Sequence, residues 1–180
     1  MNKLLLVGCA TAAFTLSNVT QAESIFTFLD YGKGTVDVDS SDDEYTSLSG
    51  AFDLSGSSYI AFESTEYGSI DVMAVGAGLY SNVGRQSNIF VQLQYIEVDF
   101  GRSDDTGYRL SAGLRTTISD RVELEGKLKY DDVFSETDSS FAVAARYYVT
   151  KNFSVAANFD SAEIANRNYD AMFASLRLNF

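Results

Sequence analysis

Histidine is absent from this 180-residue sequence, so its chemistry must come from carboxylates, hydroxyls, guanidinium groups and amines. A serine or threonine nucleophile would lack the usual general base. Two carboxylates can hydrolyse a glycosidic bond. Here 25 Asp and Glu are spread along the chain, and no pair stands out from the general acidity. The acidic tracts Asp37-Val38-Asp39 to Asp42-Asp43-Glu44 and Asp104-Asp105 lack the spaced Asp-x-Asp-x-Asp-Gly loop with a distal Glu that holds calcium. They read as a solvated rim, with divalent-cation bridging to an anionic lipid surface as a variant. Gly32-Lys33-Gly34 and Gly76-Ala77-Gly78 lack the strand-to-helix setting of a phosphate loop. No enzyme, metal site or cofactor is therefore expected. A net charge of −12 argues against nucleic acid, whose phosphates need Lys and Arg.

The charges that remain of interest are set by period-2 alternation. In Tyr108 to Ile118, one face carries Tyr108, Leu110, Ala112, Leu114, Thr116 and Ile118; the other carries Arg109, Ser111, Gly113, Arg115 and Thr117. Val122, Leu124, Gly126, Leu128 and Tyr130 alternate with Glu123, Glu125, Lys127 and Lys129. The segments from Ile89, Phe141 and Phe153 behave alike. On this pattern Glu63, Arg109, Arg115, Glu123, Glu125, Lys127, Lys129, Arg146 and Arg177 share the polar faces. If those faces meet in a narrow lumen, the nine side chains form either a salt-bridged filling or a selective pore.

The positioning elements are strands of about ten residues, the length a tilted strand needs to cross a bilayer. Turn signals place them at 25–37, 44–54, 58–67, 70–80, 88–99, 107–118, 122–131, 139–149, 153–163 and 169–180. Ten antiparallel strands would close an up-and-down transmembrane β-barrel, an all-β fold; eight is the alternative if the early, weaker strands merge. Proline, which cannot donate to a ladder, is absent. An even count puts both termini on one side. The short links at 55–57, 119–121 and 150–152, with the longer 81–87, then face the periplasm. The acidic links 37–44, 101–106, 131–139 and 165–168 face outside. Pairing Ile118 with Val122 sets Arg115 opposite Glu125, an opposite-charge pair on the inner face.

Two features favour lipid over a soluble core on the apolar face. Tyr80, Tyr95, Tyr108, Tyr130, Tyr147, Phe141, Phe153 and Phe159 lie near the ends of the apolar runs, as interfacial girdles do. Gly76, Gly78, Gly113, Ala142 and Ala144 fall on the polar face, where a narrow lumen needs space.

The N-terminus has the organisation of an export signal. Lys3 is followed by the apolar stretch Leu4 to Leu16, too short to span a membrane as a helix. Thr20-Gln21-Ala22 places small residues at −3 and −1, so 1–22 are expected to be cleaved and 23–180 to form the barrel domain. Cys9, the only cysteine, falls in this segment, which leaves no disulfide. The rival reading, a lipobox at Leu6-Val7-Gly8-Cys9, would leave an unusually short apolar core.

The C-terminal YDAMFASLRLNF places Met172, Ala174, Leu176 and Leu178 at every second position before a terminal Phe180. This resembles the C-terminal assembly signal of outer-membrane barrels, and the resemblance implies the outer-membrane insertion machinery as a partner. The segment GYRLSAGLRTTISDRVELEGKLKYDD resembles small proteobacterial outer-membrane β-barrel proteins of the OmpA-like transmembrane type. The likeness covers 107–132 in recognisable residues and 25–180 as a pattern. It implies a monomer in the bacterial outer membrane, in contact with lipid and lipopolysaccharide. Enzymes on such barrels rest on an active-site histidine, which this chain lacks. The expected role is structural or surface-interacting, with a narrow porin-like channel, or a soluble secreted barrel binding a small ligand, as alternatives.

Overall fold

The computed structural model describes residues 26–180, apart from 39–40, 55, 102, 134–135 and 165–166. The expected signal peptide and its cleavage site lie outside the described residues. Ten strands form one closed antiparallel barrel. They are β1 Phe28–Val38, β2 Ser41–Asp53, β3 Ser58–Tyr67, β4 Ile70–Val83, β5 Ser87–Asp99, β6 Asp104–Ser119, β7 Val122–Val133, β8 Glu136–Tyr148, β9 Phe153–Ile164 and β10 Arg167–Asn179. Each strand pairs with its sequence neighbours, and β1 closes on β10. The eight-strand alternative is not realised.

Followed from strand to strand, the registers climb by about twelve residues around the wall, a stagger that goes with strands tilted by roughly 40°. Closure leaves no unpaired edge, the condition for strands to cross a bilayer.

The links are tighter than the sequence implied. The strands run on through most of the acidic segments, so 37–44 and 131–139 are largely ladder. The link at 81–87 shrinks to Gly84-Arg85-Gln86, because β4 extends to Val83 and pairs it with Ser87. Gly84 there has φ +79°, a left-handed conformation that favours glycine. Gly68 does the same at φ +60° between β3 and β4.

The β6–β7 hairpin keeps Arg115 opposite Glu125 and Thr117 opposite Glu123. Ile118 does not pair with Val122. The register shifts there and Ser119 takes that place, so the turn is two residues, Asp120-Arg121, beside a bulge. The bulge arises because a tight turn needs one residue fewer than the ladder supplies.

The outward face carries a broad apolar belt. Leu128 is 67% exposed, and Leu79, Leu93, Leu110, Met172 and Leu176 are all more than half exposed. A belt this continuous is unsuited to water, which removes the soluble-barrel alternative. Tyr95, Tyr108, Tyr130 and Phe141 border it at one margin, and Tyr147 and Phe153 at the other. Tyr80 is not in a girdle. It points inward, stacks on Phe26 at 4.4 Å and donates a hydrogen bond to Asp53.

Candidate functional site: the lumen

The inward faces divide the lumen into three zones. The end at which β1 begins and β10 finishes is lined on one side by aromatics. Phe26 precedes β1 and lies between Tyr59 and Tyr80, with ring centroids 4.4 Å away in each case, and meets Phe90 edge-on. The guanidinium of Arg177 covers Phe28 at 3.8 Å, a cation–π contact that shelters the charge at the edge of the aromatic group.

The middle zone holds the charges. All nine side chains singled out from the sequence point inward. Arg109 makes a bidentate pair with Asp131, 2.7 Å on each branch, and also donates to Glu63 at 3.1 Å. Lys127 donates to the other oxygen of Glu63 at 3.3 Å. Lys129 donates to both oxygens of Asp160 at 2.8 and 2.7 Å. Arg115 holds Glu125 at 2.8 Å. Arg146 and Arg177 converge on one oxygen of Asp30, both at 2.8 Å. Glu123 sits among three guanidinium groups, with Arg115, Arg146 and Arg177 at 3.6 to 3.9 Å from Oε1, and accepts a hydrogen bond from Tyr148.

Burial makes this pairing obligatory: a lone ion in such surroundings is costly, while a paired and hydrogen-bonded one is tolerated. Cross-strand register brings some pairs together, as with Arg115–Glu125 and Arg109–Asp131, which are directly opposed on β6 and β7. Others span the lumen: Glu63 lies on β3 and its partners on β6 and β7.

Three carboxylates completing the network, Asp30, Asp131 and Asp160, were not among the expected nine. Asp131 closes the expected strand 122–131 and opens the expected acidic link 131–139. The period-2 phase of β7 would have placed it, since it follows Lys127 and Lys129 on the same face. Two small cavities of about 100 and 80 Å³ remain among these groups. Ser49, Glu63, Glu125, Lys127 and Arg177 line both.

The third zone, at the end away from the termini, is an apolar core. Val36, Tyr45, Tyr67, Ile70, Val72, Ile96, Val98, Val133, Ala162, Ile164, Tyr169 and Ala171 pack together inside the barrel. The outward neighbours of these residues are acidic: Asp37, Glu44, Glu66, Asp71, Glu97, Asp132, Glu163 and Asp170. On these strands, then, the pattern inverts above the belt. Lower down, apolar side chains face out and polar ones in; here carboxylates face out and apolar side chains in. Most of these core residues lie on expected strands; Val133 lies in the expected link 131–139, where β7 runs on as strand.

Met172, Ala174, Leu176 and Leu178 project outward from β10 along the seam with β1. Phe180 follows the strand and donates its backbone N–H to Thr27.

Taken together, an apolar outer belt, a polar lumen and closure without an edge define a bacterial outer-membrane β-barrel. Solved structures agree on the fold. An outer membrane channel from Pseudomonas putida F1 is 11% identical with a TM-score of 0.51, over 91% of this chain and 99% of that one. The NanC porin is 10% identical with a TM-score of 0.51, over 84% of this chain and 99% of that one. The β domain of the Bordetella autotransporter BrkA is 10% identical with a TM-score of 0.51, over 85% and 98%. No family model matches the chain. No curated protein matches it either. Identities this low speak to the barrel architecture, which channels and an autotransporter domain share, and not to a common activity.

Proposed function

We propose that this protein is a closed, non-conducting outer-membrane barrel that acts through its exterior, as a structural or surface-interacting element. The observation that carries this is the apolar core across the lumen at the end away from the termini. A hydrated path for ions needs polar or at least wettable walls throughout. Here Val36, Ile96 and Ala171 are 0 to 1% exposed, packed as in the interior of a soluble protein. The paired charges beneath leave no run of one sign to select an ion.

The described chain begins and ends at the end with the aromatic filling, which supports a reading with that end in the periplasm and the acidic collar outside. In the mature chain, 1–22 would be removed on export. The outward row Met172, Ala174, Leu176 and Leu178 with Phe180 would be read by the insertion machinery, and deleting Phe180 should slow assembly of the heat-modifiable form. The barrel would work as a monomer among outer-membrane lipid and lipopolysaccharide.

Planar-bilayer recording tests the proposal. Protein that shows heat-modifiable migration, and is therefore folded, should give no discrete conductance steps. Reproducible unitary steps would overturn it in favour of a narrow porin-like channel.

A further inference from the structure

The belt is not smooth. On the wall formed by β6 to β10 and β1, an apolar trough of about 950 Å³ is cut into the lipid-facing surface. Its course follows from register. Leu124 pairs with Ala145, Ala145 with Ala157, Ala157 with Ala174, and Ala174 with Lys33. Three consecutive strands thus contribute only a methyl group to this row. Phe159 and Met172 rise on one side, from the directly paired row above. Because the strands are tilted, the row climbs as it crosses them. It passes through Thr116 and Ser87, next to a turn at the terminal end, and beyond Lys33 it reaches Thr46 and then Glu66 of the acidic collar. From Leu124 to Lys33 it spans four strand spacings, roughly 19 Å, comparable to an extended fatty-acyl chain of about a dozen carbons or more.

The outer end of the trough has a distinctive charge. Among the described residues, Lys33 is the only basic side chain on the outward face of the belt; the other exposed cations lie in turns or, as Arg167, at the first residue of a strand. Its side chain is 60% exposed and its ammonium contacts Glu44 at 2.5 Å, which leaves donors for a second acceptor. Among the described residues, the other outward charges of the collar are carboxylates, which repel an anionic headgroup. Lys33 marks the place where a phosphate at this depth meets a cation, and the acyl trough begins directly beneath it.

We propose that this trough is a binding site for one phosphorylated outer-leaflet lipid, the lipid A of lipopolysaccharide, with an acyl chain along Ala174, Ala157 and Ala145 and a phosphate on Lys33. The fit rests on both halves of the ligand: apolar contact supplies area, and the lysine supplies headgroup preference. The inference depends on the outer-membrane reading above but not on closure of the lumen.

The chain contains no tryptophan, so a single reporter can be introduced. Phe159→Trp puts it on the side of the trough; Leu93→Trp puts a control on β5, away from it. Both are inserted into vesicles of phosphatidylcholine with brominated chains, which quench tryptophan. Quenching of the Leu93→Trp control reports insertion itself, so a barrel that fails to enter the bilayer is recognised as such and counts against the outer-membrane reading. Unbrominated lipid A is then titrated against unbrominated phosphatidylcholine. Lipid A should restore Phe159→Trp fluorescence at a mole fraction about three-fold or more below that of phosphatidylcholine, while the two lipids act alike on Leu93→Trp. Adding Lys33→Gln, or removing the phosphates from lipid A, should abolish the difference. Equal action of both lipids at Phe159→Trp overturns the proposal, as does a preference that survives Lys33→Gln.

Discussion

The middle and the distal third of the lumen solve the same problem in opposite ways. Both must fill a space too narrow to leave open and too wide for backbone alone. The middle uses long charged side chains, each neutralised by a partner from across the wall or the next strand. The distal third uses branched and aromatic residues in van der Waals contact. The difference follows from what lies outside. Around the middle the exterior is apolar, so the polar half of the alternation has nowhere to go but inward. Beyond the belt the exterior is water, so the carboxylates turn outward and the apolar half turns in. One ladder therefore carries two kinds of core, and the phase of polarity records where the bilayer margin falls.

The two cores should respond differently to substitution. The largest effect is expected at Arg109. Its loss leaves Asp131 buried without its cation and Glu63 with Lys127 alone, and Arg109→Ala should cost about 3–5 kcal/mol in denaturant unfolding from vesicles. The double replacement Arg109→Met with Asp131→Met removes the pair rather than orphaning one member, and should recover most of that loss. A double variant no better than the single one would mean that the network acts as a unit beyond its pairs.

In the distal core, Ile96→Ala should cost about 3 kcal/mol through lost contact and an unfilled cavity. It should also raise proteolysis at the distal hairpins, with no corresponding rise at the turns near the termini. Equal sensitivity at both ends would merge the two regions into one cooperative unit.

Gly113 sharpens the boundary between the aromatic and charged zones. A Cβ there would lie 2.3 Å from the Phe90 ring and 2.7 Å from the Gly126 carbonyl oxygen. Gly113→Ala should cost about 1–3 kcal/mol through overpacking. Phe90→Leu should relieve only the ring's share, leaving the carbonyl contact.

The smallest effect is expected outside both cores. Arg121 sits in the β6–β7 turn and donates to the Tyr147 hydroxyl at 3.3 Å. Arg121→Gln should leave the denaturant midpoint unchanged, because exposed contacts of this kind contribute little.

Much of the barrel was legible in the amino-acid order because a strand's side-chain period is two and membrane barrels use both faces. Tyr108 to Tyr130 shows why: the apolar set and the charged set separate cleanly, and Arg115 falls opposite Glu125 as the alternation requires, a bulge making up for a turn one residue shorter than expected. The acidic segments were harder. Asp71 and Glu97 fall within expected strands, whereas Asp132 falls in the expected link 131–139, because acidity marks a solvated link as readily as an outward strand face. Their neighbours Ile70, Val72, Ile96, Val98 and Val133 continue the alternation with its sign reversed, and that reversal was present in the sequence. Tyr80 was misplaced by the same habit of judging a residue by type rather than by phase.

The linear order thus determined most of the strands, nine of the inward charges and the outward belt, since each depends on local alternation and turn chemistry. Tertiary structure decided the rest. Which carboxylate meets which cation across the lumen, as with Glu63 and Lys127 or Asp160 and Lys129, depends on the stagger at which ten tilted strands close. So does the trough, because Ala145, Ala157, Ala174 and Lys33 are neighbours only in register, and no local pattern sets the register of the whole wall.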